Sequence, residues 1–159
     1  MRREEREVTE PEKKLAIIDS CRIMRLGIYD GQIPYVVPVN FGYSVKGEEL
    51  TLYFHGSKSG RKIDALNAFP LVCFEMDCEH ELIEGKLACN YSYAFASVIG
   101  TGTVWLLENP AEKVEALQAV MEHQTGKKLP FHFEEAMLAR TAVCRLVVNE
   151  YTAKRHEVS

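Results

Sequence analysis

The run "RIMRLGIYDGQIPYVVPVNFGYSVKGEELTLYFH", residues 22 to 55, constrains the fold more than any other part of the chain. It is rich in β-branched and aromatic residues and is broken by two turn signals, Asp30-Gly31 and Lys46-Gly47. The pattern predicts three strands joined by two tight turns. Linkers this short leave no room for a crossover, so the strands must be antiparallel neighbours. Pro34 and Pro38 have no N–H to give to a ladder, which puts the second strand at an edge or at a bulge. Backbone groups left unpaired there are open to a ligand.

The rest of the chain surrounds this sheet. Thr9-Glu10-Pro11-Glu12 reads as a helix start, with Thr9 as cap, Pro11 in the first turn and Glu12 completing a capping box. Leu15, Ile17, Ile18 and Cys21 give that helix its apolar side. A short amphipathic helix begins near Gly60, carries Ile63, Leu66 and Phe69, and stops at Pro70. "LVCFEM" follows as a buried strand, and the acidic residues 77 to 90 read as a loop. "SYAFASVIGTGTVWLLE" is the longest strand candidate, with Gly100 and Gly102 marking a kink or a close backbone approach. Asn109-Pro110 starts a helix that runs to about His123, with Val114, Leu117, Val120 and Met121 on one face, and stops before Gly126. A short helix at 133 to 139 and a last strand, "TAVCRLVVNEY", end the order. The prediction is α+β, an antiparallel sheet curled into a small barrel with peripheral helices. With 159 residues and no repeat or linker, residues 1–159 read as a single domain, of which 1–8 form a charged, flexible arm.

Composition narrows the function. At 47% apolar and 26% charged the chain is ordinary for a globular protein, and its net charge of -4 argues against general nucleic-acid binding. No apolar run is long enough to span a membrane, and the charged N-terminus is not a signal peptide, so the expected location is cytoplasmic. Five cysteines without a C-x-x-C suggest reduced, mostly buried thiols. A metal site from Cys73, Cys78, His80 and Cys89 is disfavoured: C-x4-C-x-H-x8-C is not a zinc spacing, and Cys73 falls inside a strand.

The chemically loaded segment is "YFHGSKSGRKIDALNAFP", residues 53 to 70. It is not a P-loop. Gly56 and Gly60 enclose three residues rather than four, and Ile63 follows Lys62 where a magnesium-binding hydroxyl is needed. Ser59-x-x-Lys62 matches a nucleophile motif by spacing only, without the companion elements that motif requires. A third reading takes the strand end at His55, the small-residue loop and the following helix start together. First-turn N–H groups have no intrahelical partner and the helix dipole favours an anion there. Lys58, Arg61 and Lys62 crowd this same end, against the dipole, which makes sense if a phosphate lies between them. A solvated basic turn explains the same residues equally well. His123 and His132, flanking a Gly-Lys-Lys turn, read as surface residues, and His156 lies in a charged tail. The aromatics at 41, 43, 53, 54, 91, 93 and 95 alternate as barrel-core residues do, and lining a planar cofactor is the second reading of the same pattern.

Three segments then resemble a known family. "GIYDGQIPYVVPVNFGY", "LYFHGSKSGRKIDALNAFPLVCFEM" and "ASVIGTGTVWLLENPAEKVEALQAVM" are similar, in order and spacing, to the pyridoxamine 5′-phosphate oxidase-like flavoproteins, most of all to the 5-nitroimidazole resistance (Nim) branch. The resemblance covers residues 15 to 155. It implies a split β-barrel that forms a homodimer with FMN between subunits. Carried over by position, Arg61 and Lys62 would hold the FMN phosphate, with Ser57 and Lys58 beside them. Pro38, Val39, Asn40 and Phe41, with Phe54 and His55, would run along the flavin through backbone groups, and Ser97 would supply a polar flavin contact. No catalytic side chain is assigned: His55 beside the flavin would either donate a hydrogen bond to a bound acceptor or serve a structural role. The implied activity is reduction of a small planar acceptor such as a nitroaromatic, with NAD(P)H as a possible donor. Non-catalytic flavin binding or sensing, and haem binding, are the alternatives the same relatives suggest. Two departures argue against vitamin B6 oxidation. Phe95-Ala96 stands where relatives carry Tyr and a basic residue, and the tail "YTAKRHEVS" lacks the basic and aromatic substrate ligands.

Overall fold

The computed structural model describes residues 4–157. After a 3-10 turn at Glu4–Arg6 the elements are β1 (Glu7–Val8), α1 (Pro11–Ser20), β2 (Ile23–Tyr29), β3 (Pro34–Asn40), β4 (Gly42–Lys46) and β5 (Glu49–Ser57). They continue with α2 (Arg61–Ala68), β6 (Leu71–Ile83), β7 (Ser92–Leu107), α3 (Pro110–Thr125), α4 (Glu135–Arg140) and β8 (Thr141–His156). Every strand pairing is antiparallel. The hydrogen-bonded order is β3-β2-β6-β7-β8-β5-β4, with β1 added to β8.

The two ends of that path, β3 and β4, are consecutive in the chain and separated only by Phe41. The sheet therefore has to curl until its edges approach, yet no ladder joins them. This is the expected α+β split barrel. Alternate residues of β2, β6 and β7 fill the inside (Met24, Leu26 and Ile28; Val72, Phe74 and Met76; Ala96 and Val98), together with Leu52 and Phe54 of β5. Pro34 and Pro38 sit on an edge strand, as their missing donors require.

Several expectations need correction. The strand run divides into four strands rather than three, because the chain turns at Phe41 to cross from one edge of the sheet to the other. Gly42 makes that crossing possible: a Cβ there would run into the Ala119–Val120 backbone of α3. Helix α1 is capped by Glu10, with no side-chain capping bond, so Pro11 is its first residue and the Thr9 capping box does not form. Residues 77 to 83 are strand, not loop. On the outer face Arg25 pairs with Asp77, Arg155, which shares the inward register of Ala96, reaches Glu79, and a bulge lies between Cys78 and Glu81. Glu7 and Val8 of the expected flexible arm pair with Lys154 and Ala153, and residues 1–3 lie outside the described residues.

Helix α3 starts at the expected cap, with Ala111 N–H donating to Asn109 Oδ1 at 2.8 Å, and ends on Gly126 at φ +68°. Its buried face is Lys113, Ala116, Leu117, Val120 and His123; Val114 is exposed and Met121 half-buried. Lys113 is buried because its Nζ donates to the carbonyls of Leu138 and Thr141 at the end of α4. Strand β8 runs on through the tail, so His156 is a strand residue 3.1 Å from Ser92 Oγ. Of the aromatics read as core, Tyr91 and Tyr93 are exposed. Only Cys21 and Cys144 are buried thiols; Cys73 and Cys89 are exposed.

Candidate functional site

Strand β5 delivers the loaded segment to one end of the barrel. Phe54 points inward into the core, so His55 points to the opposite face and Gly56 inward again. Ser57 closes the strand and its hydroxyl accepts a hydrogen bond from Ser59 N–H at 3.3 Å. Gly60, at φ +113°, then turns the chain into α2, a conformation that favours glycine. The Ile63 and Asp64 N–H groups bond the Gly60 carbonyl, whereas those of Arg61 and Lys62 make no hydrogen bond among the described residues. They are the free first-turn donors of a helix with no side-chain cap.

The three cations that the sequence groups together go three ways. Arg61 folds back to the β2–β3 turn, where Nε donates to Asp30 Oδ2 at 2.9 Å and Nη2 bonds the same oxygen. Its guanidinium lies 4.3 Å from the centre of the Tyr35 ring. Lys58 lines a cavity of about 420 Å³ between α2, the end of β7 and the start of β8, next to Glu108 and Lys113. Lys62 lies back over β5, with Nζ 5.8 Å from the Phe54 ring centre. A Cβ built on Gly56 would come within 2.6 Å of that ammonium, so the glycine leaves the space Lys62 occupies. No described carboxylate pairs with Lys62.

Asp30 and Tyr35 belong to this arrangement, although the sequence read Asp30 only as a turn residue. Asp30 accepts from the N–H groups of Gln32 and Ile33 at 3.0 and 2.8 Å as well as from Arg61. The Ile33 and Arg61 bonds lower its pKa to about 2. His55 is exposed, and partial desolvation with the Lys62 charge depresses its pKa, so the ring is neutral at pH 7.

The other predicted positions are spread around the sheet. Val39 and Phe41 face the core, while Pro38 and Asn40 face out. Asn40 Nδ2 donates to Arg22 O and Gln124 Oε1 at 3.2 and 3.1 Å, and Gln124 in turn donates to the Phe41 carbonyl at 2.8 Å. Ser97 stands on the outer face of β7, opposite Asp77 and Lys154. Within one chain the sheet separates it from Lys62, which lies over the inward-facing Phe54. Cys73 and Cys78 point to opposite faces of β6, and among the described residues no group of three or more His, Cys, Asp or Glu side chains is placed to hold a metal ion. No helix is long and apolar enough to cross a membrane.

The fold has counterparts among known proteins. The family model described as pyridoxamine 5′-phosphate oxidase matches residues 10–155. A structure of a candidate 5-nitroimidazole antibiotic resistance protein from Bacteroides thetaiotaomicron is 30% identical, with a TM-score of 0.81 over 94% of this chain and 86% of that one. A flavocytochrome from Azotobacter vinelandii (24% identity, TM-score 0.81) aligns over 99% of this chain and 72% of its own. An FAD and haem binding protein from Mycobacterium smegmatis (18% identity, TM-score 0.79) aligns over 96% and 74%. These two similarities show a shared fold. No curated protein matches the chain. With nearly its whole length matched by the family model and a 30% identical relative of the same fold, the chain belongs to the pyridoxamine 5′-phosphate oxidase family.

Proposed function

We propose that the protein binds FMN and reduces a small planar acceptor, nitroaromatics being the substrate class, with NAD(P)H as the electron donor. The observation that carries the reading is Lys62. Its ammonium lies over Gly56 without a carboxylate partner, and the Arg61 and Lys62 N–H groups at the start of α2 are free among the described residues. A half-buried cation on the same first turn as free donors is suited to a phosphate. Arg61 is already matched by Asp30, whereas Lys62 has no carboxylate partner and suits a phosphate group.

A bound flavin supplies the electron chemistry itself. The chain's part is to hold and shield it. Lys62 and the α2 N–H groups take the phosphate, Ser57 and Lys58 flank it, and Arg61 stacked on Tyr35 forms a fixed wall. The backbone of Pro38–Phe41 and of Phe54–His55 follows the ring system, and neutral His55 offers a hydrogen bond to the acceptor. Ser97 reaches the same flavin from the outer face of a second copy, in keeping with its place on the face opposite the inward-facing Phe54 that Lys62 covers. A homodimer would also cover Val36, Leu71, Ile99 and Trp105, which are 52 to 62% exposed on that outer face. The 5-nitroimidazole resistance neighbour supports the choice of acceptor.

The test is anaerobic stopped-flow absorbance on the purified protein. The expected result is a flavin spectrum that NADH or NADPH bleaches and a 5-nitroimidazole restores. Colourless protein that takes up no added FMN overturns the reading. Flavin that neither nucleotide bleaches points to non-catalytic binding, and a Soret band on haem titration without flavin uptake points to the haem alternative.

A further inference from the structure

Two cysteines from distant parts of the sequence meet where α1 ends against β6. Cys21 closes α1, and its N–H bonds the Ile17 and Ile18 carbonyls at 3.2 Å. Cys78 arrives on β6 in register with the inward-facing Ala96, and its Sγ lies 4.0 Å from the same Ile17 carbonyl oxygen. One carbonyl thus collects both residues, and the two thiols are close enough to hydrogen-bond each other. Cys21 is buried and Cys78 half-buried, so a small reagent from solvent meets the pair at Cys78.

The contact has a direction. It favours the thiolate at Cys78, which accepts, and the thiol at Cys21, which donates. Burial is the main cause that holds both thiols protonated. Asp77 and Glu75 hold Cys21 so further, while at Cys78 the Arg155 charge works for the thiolate and Glu79 and Asp77 against it. Cys78 is therefore the one of the two to ionise and react first. The backbone beside it is also the least regular of β6. The ladder to β7 breaks directly after Cys78, with Glu79 at φ +60°, and pairing resumes only at Glu81. That bulge gives Cys78 slack for the movement toward Cys21 that an S–S bond needs.

We propose that Cys21 and Cys78 form a reversible disulfide with hydrogen peroxide as oxidant, stapling the end of α1 to β6. The Cys78 thiolate attacks one peroxide oxygen, the O–O bond breaks, and the departing hydroxide takes up a proton to leave as water. Cys78 is then a sulfenic acid. The Cys21 sulfur attacks the Cys78 sulfur; the S–S bond forms, the S–O bond breaks, and the second oxygen leaves as water with the Cys21 proton. Two thiols have lost two electrons and two protons, and one peroxide has become two waters. A dithiol reverses the step by exchange. The Cys21 carbonyl also lies 2.8 Å from His123 Nε2 of α3, so the staple braces that corner as well. Neither cysteine belongs to the flavin set, and the site stands apart from that reading.

The test uses the full-length protein with Cys73→Ser and Cys89→Ser, which removes the two exposed thiols and leaves Cys21, Cys78 and Cys144. It is treated with hydrogen peroxide at pH 8.5, and its free thiols are counted after unfolding and mapped by mass spectrometry. The expected result is a fall from three thiols to one, a peptide linking Cys21 to Cys78, and an unmodified Cys144. The melting temperature is expected to rise on oxidation and to return with dithiothreitol. Adding Cys78→Ser to the same protein is expected to abolish both changes. The proposal is overturned if no Cys21–Cys78 peptide forms, if Cys78 runs on to sulfinic acid with Cys21 free, or if the linked protein fails to melt higher than the reduced one.

Discussion

Asp30 shows how one side chain can matter more than its turn position suggests. It fixes Arg61 against Tyr35 and is itself held ionised by the Ile33 and Gln32 N–H groups. Its folded pKa, about 2, lies below the ordinary 3.8. The folded state therefore favours the charged carboxylate, and this contribution to stability is present above pH 3.8 and lost as pH falls toward 2. Asp30→Asn is expected to remove that part of the acid dependence, measured as urea midpoints between pH 4 and 2 on the two proteins. The basic loop was legible in the sequence as a phosphate candidate. The parting of its three cations was not, because Asp30 is 31 residues from Arg61 and only the barrel brings them together. His123 was misread for the same reason: its flanking Gly-Lys-Lys turn looks like surface, but Phe41, Tyr43 and the end of α1 close over it.

At the scale of elements, the close approach of α3 to the β3–β4 crossing holds the two edges of the sheet in place. Gly42 touches the Ala119–Val120 backbone and Gln124 bonds the Phe41 carbonyl. Gly42→Ala puts a methyl group into backbone that cannot swing aside, and is expected to cost about 1–3 kcal/mol in equilibrium unfolding. Asn109→Ala removes the α3 cap and is expected to cost about 1 kcal/mol, measured in the same way. Element types followed from local pattern wherever turns and caps are written in the residues, as at Asp30-Gly31, Lys46-Gly47, Asn109-Pro110 and Gly126. The misreadings fell where distant partners decide. Residues 77 to 83 look like loop because their charges are matched by Arg25 and Arg155, on other strands. The tail extends β8 because β7 is long enough to pair with it as far as His156.

At the scale of the molecule, the sheet has a packed inside and an outer face that carries Val36, Leu71, Ile99 and Trp105 in the open. If a second copy covers that face, Ile99→Arg should halve the mass measured by light scattering and weaken flavin retention, since Ser97 would no longer reach the partner's site. The account as a whole stands on the flavin phosphate being held at Lys62, and the most direct measurement is the FMN dissociation constant by fluorescence quenching for wild type and Lys62→Ala. Loss of a charge-assisted contact is expected to raise it by about tenfold to a hundredfold, with the melting temperature of the flavin-free protein unchanged. Equal affinity in the two proteins would contradict the account.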